Sequence, residues 1–241
     1  MTNRQSNIIF YGIIFSVISA MLINFYQPEF FTNFTKSKEE FLVKEAMKNG
    51  EYNKALANYK TLLERNLKAN SDSGDSNTIE TAIMYEDIAN IYFLLGNTQK
   101  ETDYYLKALD TKNQLKRVSV HSIANTYHKL GSLAQEKKKY QQAQAYFESS
   151  LQARLQDTQE VSEEDQSMFV GMQQTRLRHL RLNHAGTIAT FKSLGAIHSH
   201  NKEYAIAKDY YERALASSKI TFGEEDAKTL QIMDLIKQLA P

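Results

Sequence analysis

One phrase recurs four times along this chain: NGEYNKALANYKTLL (Asn49–Leu63), LGNTQKETDYYLKAL (Leu95–Leu109), KKKYQQAQAYFESSL (Lys137–Leu151) and NKEYAIAKDYYERAL (Asn201–Leu215). Self-similarity at intervals of tens of residues constrains the fold more than any composition does. Each unit is too small to bury its own apolar face, so units have to stack, and about three are the minimum for a stable core. Ahead of the later blocks lies a second helical pattern at period 3.6: Tyr85, Ile88, Ala89 and Tyr92; then Tyr127, Leu130, Gly131 and Ala134; then Phe191, Leu194, Gly195 and His198. Each unit therefore reads as two antiparallel helices. In the second helix a small residue (Ala55, Ala143, Ala207) permits close approach, and the aromatic four positions on (Tyr59, Phe147, Tyr211) fills the gap to the next pair. Ala89 and Gly131 serve the same purpose on the first helix.

The repeats set the expected organisation: a tail over 1–7, an anchor over 8–26, a linker over 27–35 and an all-α repeat domain over 36–241. Within that domain the repeats fall near 36–66, 82–115, 124–155 and 188–220, with an insert over 156–186 and a capping helix over 226–240. Two prolines in 241 residues agree with a helical chain. The insert opens acidic and closes basic, and its Met168, Phe169, Val170 and Met172 read either as helix packing or as a contact surface beside Arg176, Arg178 and Arg181. The stretch Leu67–Glu80 reads as a polar connecting loop.

The amino-terminal segment is of another kind. No charge lies between Gln5 and Pro28, and IIFYGIIFSVISAMLINF (Ile8–Phe25) would cover roughly 27 Å as a helix, close to the hydrocarbon thickness of a bilayer. A cleaved signal peptide is the alternative, supported by Arg4 and Ala20, but the apolar run continues past Ala20. The expectation is a retained transmembrane helix and a single-pass membrane protein. The charges flanking the segment do not fix its orientation.

The chemistry of catalysis finds little purchase. The chain has no cysteine, which removes disulfides, thiolate metal sites and cysteine nucleophiles. His198 and His200 are two residues apart and point to different helix faces, and His179 and His184 are also poorly spaced for a metal. No glycine-rich phosphate loop and no nucleophile elbow occurs. A formal net charge of +1 gives no reason to expect nucleic acid. No enzyme activity, cofactor, metal or small-molecule substrate is expected.

The segments LGSLAQEKKKYQQAQAYFESSL and LGAIHSHNKEYAIAKDYYERAL resemble the tetratricopeptide repeat family, whose unit carries Leu-Gly or Leu-Ala on helix A and Gly-x-Tyr-x-x-Ala-x-x-x-Tyr-x-x-Ala-Leu across the turn and helix B. Glu101 departs from the pattern where a small residue belongs, as does Val43. The units recur at more than the usual 34 residues, which is similar to the long-repeat branch that includes kinesin light chains. The resemblance implies a right-handed superhelical stack of helix-turn-helix repeats whose helix A residues line a concave groove for a partner's peptide or helix. Transferred by position, the groove residues are Glu86, Asn90 and Phe93, then Asn125, His128, Lys129 and Ser132, then Lys192, Ala196 and Ser199. His128, Lys129 and Lys192 would make its later half mildly basic. The terminal-carboxylate clamp of chaperone-binding members is not preserved, since Glu40 and Lys44 stand at its first-repeat positions.

With the expected anchor, the plan resembles mitochondrial membrane proteins that serve an inner-membrane protease or respiratory-complex assembly. The implied placement is the mitochondrial inner membrane with the repeats in the intermembrane space; an outer-membrane protein facing the cytosol or a bacterial inner-membrane protein are alternatives. The implied function is an adaptor for protein partners, with a permanent structural subunit of a membrane complex or an import receptor as the competing readings.

Overall fold

The computed structural model describes residues 28–73, 78–115, 118–156 and 184–239, and among these every regular element is an α-helix. In chain order they are α1 (Pro28–Lys48), α2 (Tyr52–Ser73), α3 (Ile79–Leu94), α4 (Thr98–Gln114), α5 (Val120–Glu136), α6 (Tyr140–Gln156), α7 (Ala185–His200), α8 (Tyr204–Phe222) and α9 (Ala227–Gln238). The chain divides into two compact units, Met1–Gly74 and Asp75–Pro241.

In the first unit α1 packs on α2. Its buried apolar residues are Val43 and Ala46 on one helix and Ala55, Leu62 and Leu63 on the other. Arg65 reaches across to Glu39 at 2.8 Å. Helix α1 begins earlier than the sequence suggests: residues 28–35, expected as a linker, are helical. Pro28 suits that start, because the first helical position has no use for an N–H and proline's φ is already helical.

The second unit is a row of helix pairs, α3 with α4, α5 with α6 and α7 with α8, closed by α9. Caps help define the ends. Thr78 and Asn97 accept the backbone N–H groups of Thr81 and Lys100, each at 3.1 Å, and Asp226 accepts that of Lys228 at 2.8 Å.

The turn inside every pair of either unit has one geometry. The second residue past the first helix has a positive φ: Gly50 at 72°, Gly96 at 68°, Lys138 at 57° and Lys202 at 62°. The next residue's N–H returns to the carbonyl five positions back, Glu51 to Ala46, Asn97 to Tyr92, Lys139 to Ala134 and Glu203 to His198. This is a Schellman ending, which satisfies orphan carbonyls of the first helix while reversing the chain. Glycine adopts it freely, whereas Lys138 and Lys202 carry a Cβ into the left-handed region.

Within the pairs, small residues set the helix separation. A Cβ added to Gly131 would lie 2.7 Å from the Phe147 ring, and one on Gly195 would lie 2.6 Å from that of Tyr211. The same aromatics also reach the following element. Phe147 joins Ala134 and Ala143 to Leu194 and Ile197. Tyr211 joins Ile188, Phe191 and Ala214 to Ile232 of α9, and Tyr105 clusters with Ala89, Leu109, Leu130 and Leu133. One ring therefore contributes to two interfaces, within its pair and onward to the next.

Glu101 is the exception to this apolar pattern. It occupies the register of Ala143 and Ala207 and is buried, only 5% exposed. Burial, with the nearby Glu136 carboxylate adding, pushes its carboxyl up from the ordinary 4.5 to about 6, and Lys129 and Lys137 only partly offset this.

The capping helix expected over 226–240 is observed over Ala227–Gln238. Of the loop expected over 67–80, residues 67–73 are helical as the end of α2, α3 begins at Ile79, and residues 74–77 lie outside the described residues. Most of the 156–186 insert, residues 157–183, lies outside the described residues. The reading of a single-pass membrane protein, with its mitochondrial or bacterial placements, is corrected: among the described residues no helix is long and apolar enough to cross a membrane. Residues 8–26, where the anchor was expected, lie outside the described residues.

Two predictions follow from this packing. Gly195→Ala gains about 1 kcal/mol of helix propensity but overpacks a buried ring contact at a typical cost of about 1–3 kcal/mol. Chemical denaturation is expected to show a net loss, recovered in part by adding Tyr211→Leu. Glu101 holds its proton in the folded state between about pH 4.5 and 6 while the unfolded chain does not, so the stability it contributes when neutral is lost as pH rises through 6. Glu101→Gln is expected to melt higher than the parent at pH 7.5, with the gap closing towards pH 4.5.

Candidate functional site

The side chains between consecutive pairs are polar at one recurring position. Lys112 in α4, Arg154 in α6 and Ser218 in α8 stand in the same register of their helices, eleven residues after the small-residue position. All three are fully or almost fully buried. Each turns towards polar partners on a neighbouring first helix or on α9.

Lys112 is the most completely satisfied. Its ammonium donates to Glu86 Oε1 at 2.6 Å, to Thr126 Oγ1 at 2.9 Å and to the Ser122 carbonyl at 3.3 Å. The Thr126 hydroxyl donates in turn to Glu86 at 2.6 Å. This network ties α3, α4 and α5 together. Arg154 Nη2 donates to Asn125 Oδ1 at 2.5 Å. Close by, the Ser150 hydroxyl donates to the Ala124 carbonyl at 2.7 Å, and the Thr190 hydroxyl donates to the Gly186 carbonyl at 2.8 Å while sharing a 3.1 Å bond with His128 Nδ1. At the end of the row Ser218 and Thr229 share a bond of 2.8 Å.

These contacts determine where the expected groove residues stand. Glu86 and His128 are half-buried and held by Lys112 and Thr190, and Asn125, though exposed, accepts from Arg154 through its Oδ1. His128 also lies against the Phe147 ring, with centroids 5.1 Å apart. Burial, with Arg154 and then Lys129 adding, pushes His128 down to about 4, so it brings no charge to the surface at neutral pH. Asn90 is exposed, yet its Oδ1 accepts the Tyr105 hydroxyl at 2.6 Å. Ser132 donates to the carbonyl of His128 within its own helix. Lys192 reaches Gln231 of α9 at 3.0 Å. Phe93 is 60% exposed, Lys129 is exposed, and Ala196 and Ser199 are half-buried.

The arrangement nevertheless leaves two matching rows of side chains open on α3, α5 and α7. On α3, α5 and α7 the row Ile88, Leu130, Leu194 and the row Ala89, Gly131, Gly195 are buried. The row beside them, Asn90, Ser132 and Ala196, is exposed or half-buried, and so is the row Phe93, Gln135 and Ser199. Among the described residues no group of three or more His, Asp or Glu could hold a metal ion. Sequence reasoning missed Lys112 and Arg154, which pass for solvated helix charges when read singly. Their shared register with Ser218 was the available signal.

Glu86→Ala would leave the Lys112 ammonium buried without its counter-charge, and breaking one side of such a pair is expected to cost about 3 kcal/mol. Denaturation should find the double variant Lys112→Met with Glu86→Gln distinctly more stable than Glu86→Ala.

Family profiles described as tetratricopeptide repeat match residues 82–114, 124–157 and 187–227. No curated protein matches the chain. Among solved structures the chain is similar to BtubC (BKLC) from P. vanneervenii, at 17% identity over 99% of this chain and 84% of that one, with a TM-score of 0.63. It is also similar to a Podosopora anserina protein described as a kinesin light chain with nearly identical TPR-like repeats, at 15% identity over 84% of each chain and a TM-score of 0.57. At such identities the likeness is one of fold. The matched segments coincide with the three helix pairs α3–α4, α5–α6 and α7–α8, and these pairs are tetratricopeptide repeats.

Proposed function

We propose that this chain is a protein-interaction scaffold, and that the exposed strip on its first helices receives an extended or helical segment of a partner protein. The observation that carries the reading is the registry of that strip. Three successive first helices offer side chains in the same two rows while the rows next to them are consumed by packing. A partner segment lying across α3, α5 and α7 would meet Phe93 as an apolar anchor and Asn90, Ser132 and Ser199 as polar contacts. Lys129 and Lys192 supply positive charge, which favours an acidic segment; His128, being neutral, adds none. Exposed pairs of this sort contribute up to about 1 kcal/mol each, so affinity rests on several contacts together.

Buried polar networks support the reading from the other direction. Partner binding gains from a surface that does not have to be ordered first; Lys112 ties α3 and α5 to α4, and Arg154 ties α5 to α6. Glu86 and His128 belong to that frame and position the strip; Asn125 is bonded to Arg154 and exposed as well.

Site-specific photo-crosslinking tests the proposal. A photoreactive residue at Phe93, Lys129 or Ser199 is expected to capture the same partner, while one at Lys208 or Gln144 on the second helices is not. Capture from the second helices with none from the first would overturn it. Phe93→Ala combined with Lys129→Ala is expected to weaken capture at least tenfold with little change in melting temperature, since both side chains are exposed.

A further inference from the structure

Arg154 is the largest of the fully buried side chains, at 1% exposed. Its counterpart Lys112 has Glu86 as a counter-charge, and its counterpart Ser218 carries no charge. Among the described residues Arg154 has neither solution. Of its guanidinium nitrogens, Nη2 is bonded to Asn125, whereas Nε and Nη1 are buried without a hydrogen-bond partner among the described residues.

Among the described residues no carboxylate is paired with the guanidinium. A Cβ on Gly186 would lie 2.5 Å from Nη1, 2.6 Å from Cζ and 2.7 Å from Nη2, so the guanidinium lies against the first turn of α7. That is the positive end of a helix of 16 residues, where a cation is unfavourable and an anion is favoured. His184, which caps this helix, meets His121 edge-on with centroids 5.2 Å apart. Burial lowers the Arg154 guanidinium. His184 is likewise pushed down by burial, then by Arg154 and His121.

The geometry points to an oxyanion, a carboxylate or a phosphate, bound by the Arg154 guanidinium beside the positive end of α7, with His121 and His184 near it; the Gly186, Thr187 and Ile188 N–H groups are already bonded to His184, so the guanidinium supplies the hydrogen-bond donors. A guanidinium has five N–H donors and one here is taken by Asn125, so the others can meet a planar or tetrahedral oxyanion. This site lies apart from the strip on the first helices and does not rest on that reading.

The test is an anion titration of the full chain with inorganic phosphate, acetate and chloride at matched ionic strength. A ligand at tenfold its Kd stabilises the folded state by mass action, which for a unit of this size raises the melting temperature by about 3 °C. Phosphate is expected to produce that rise over chloride and to move the Arg154 Nε–H and Ala185–Thr187 amide resonances; Arg154→Met should abolish the rise. Acetate acting as well identifies a carboxylate-accepting site, and phosphate acting without acetate identifies a phosphoryl-selective one. An equal rise in Arg154→Met, or no displacement of those resonances by either anion, overturns the proposal. The resonance titration in the parent decides the matter even where Arg154→Met fails to fold.

Discussion

The close approach of the two helices in each pair is the constraint on which the rest of this structure depends. Where Gly131 faces Phe147 and Gly195 faces Tyr211, there is no room for a Cβ. That proximity brings the rings deep enough to reach the next element as well, so each helix pair is joined to its successor by the aromatic that closes it. A repeat stack has no central core to fall back on. Its stability is a sum of units and nearest-neighbour interfaces, so a ring shared between two interfaces couples adjacent repeats.

On this apolar frame lies a polar one. Lys112 and Arg154 are buried where the pairs meet, and Glu86, Thr126 and Asn125 answer them from the first helices. Buried charges are poor sources of stability but unforgiving of misplacement. Their effect here is to specify which first helix lies against which second helix, and hence the registry of the exposed strip. The two frames have different physical costs. The apolar one tolerates volume-conserving change, and the polar one does not tolerate loss of a single partner.

Much of the fold was legible in the sequence because it is repeated. The pairs, their turns and the small-to-aromatic spacing all follow from aligning four phrases, and Ala143, Phe147, Ala207 and Tyr211 are buried as that alignment implies. The turn residues Lys138 and Lys202 take the left-handed conformation of Gly50 and Gly96 because the Schellman bonds require it, which residue preference alone does not suggest. The candidate site was less legible. Position in a repeat identifies the first-helix residues but not their partners, so it does not show that Lys112 holds Glu86, that Arg154 bonds Asn125 or that Thr190 bonds His128. Histidine charge was equally hidden: the ring of His128 is neutral because of what folds around it.

Hydrogen exchange on the full chain, free and with a crosslink-identified partner, tests the central claim most directly. Slow exchange is expected through α3–α8 in the free protein, with added protection confined to α3, α5 and α7 when the partner is present. Added protection on α4, α6 and α8, with none on the first helices, would contradict it.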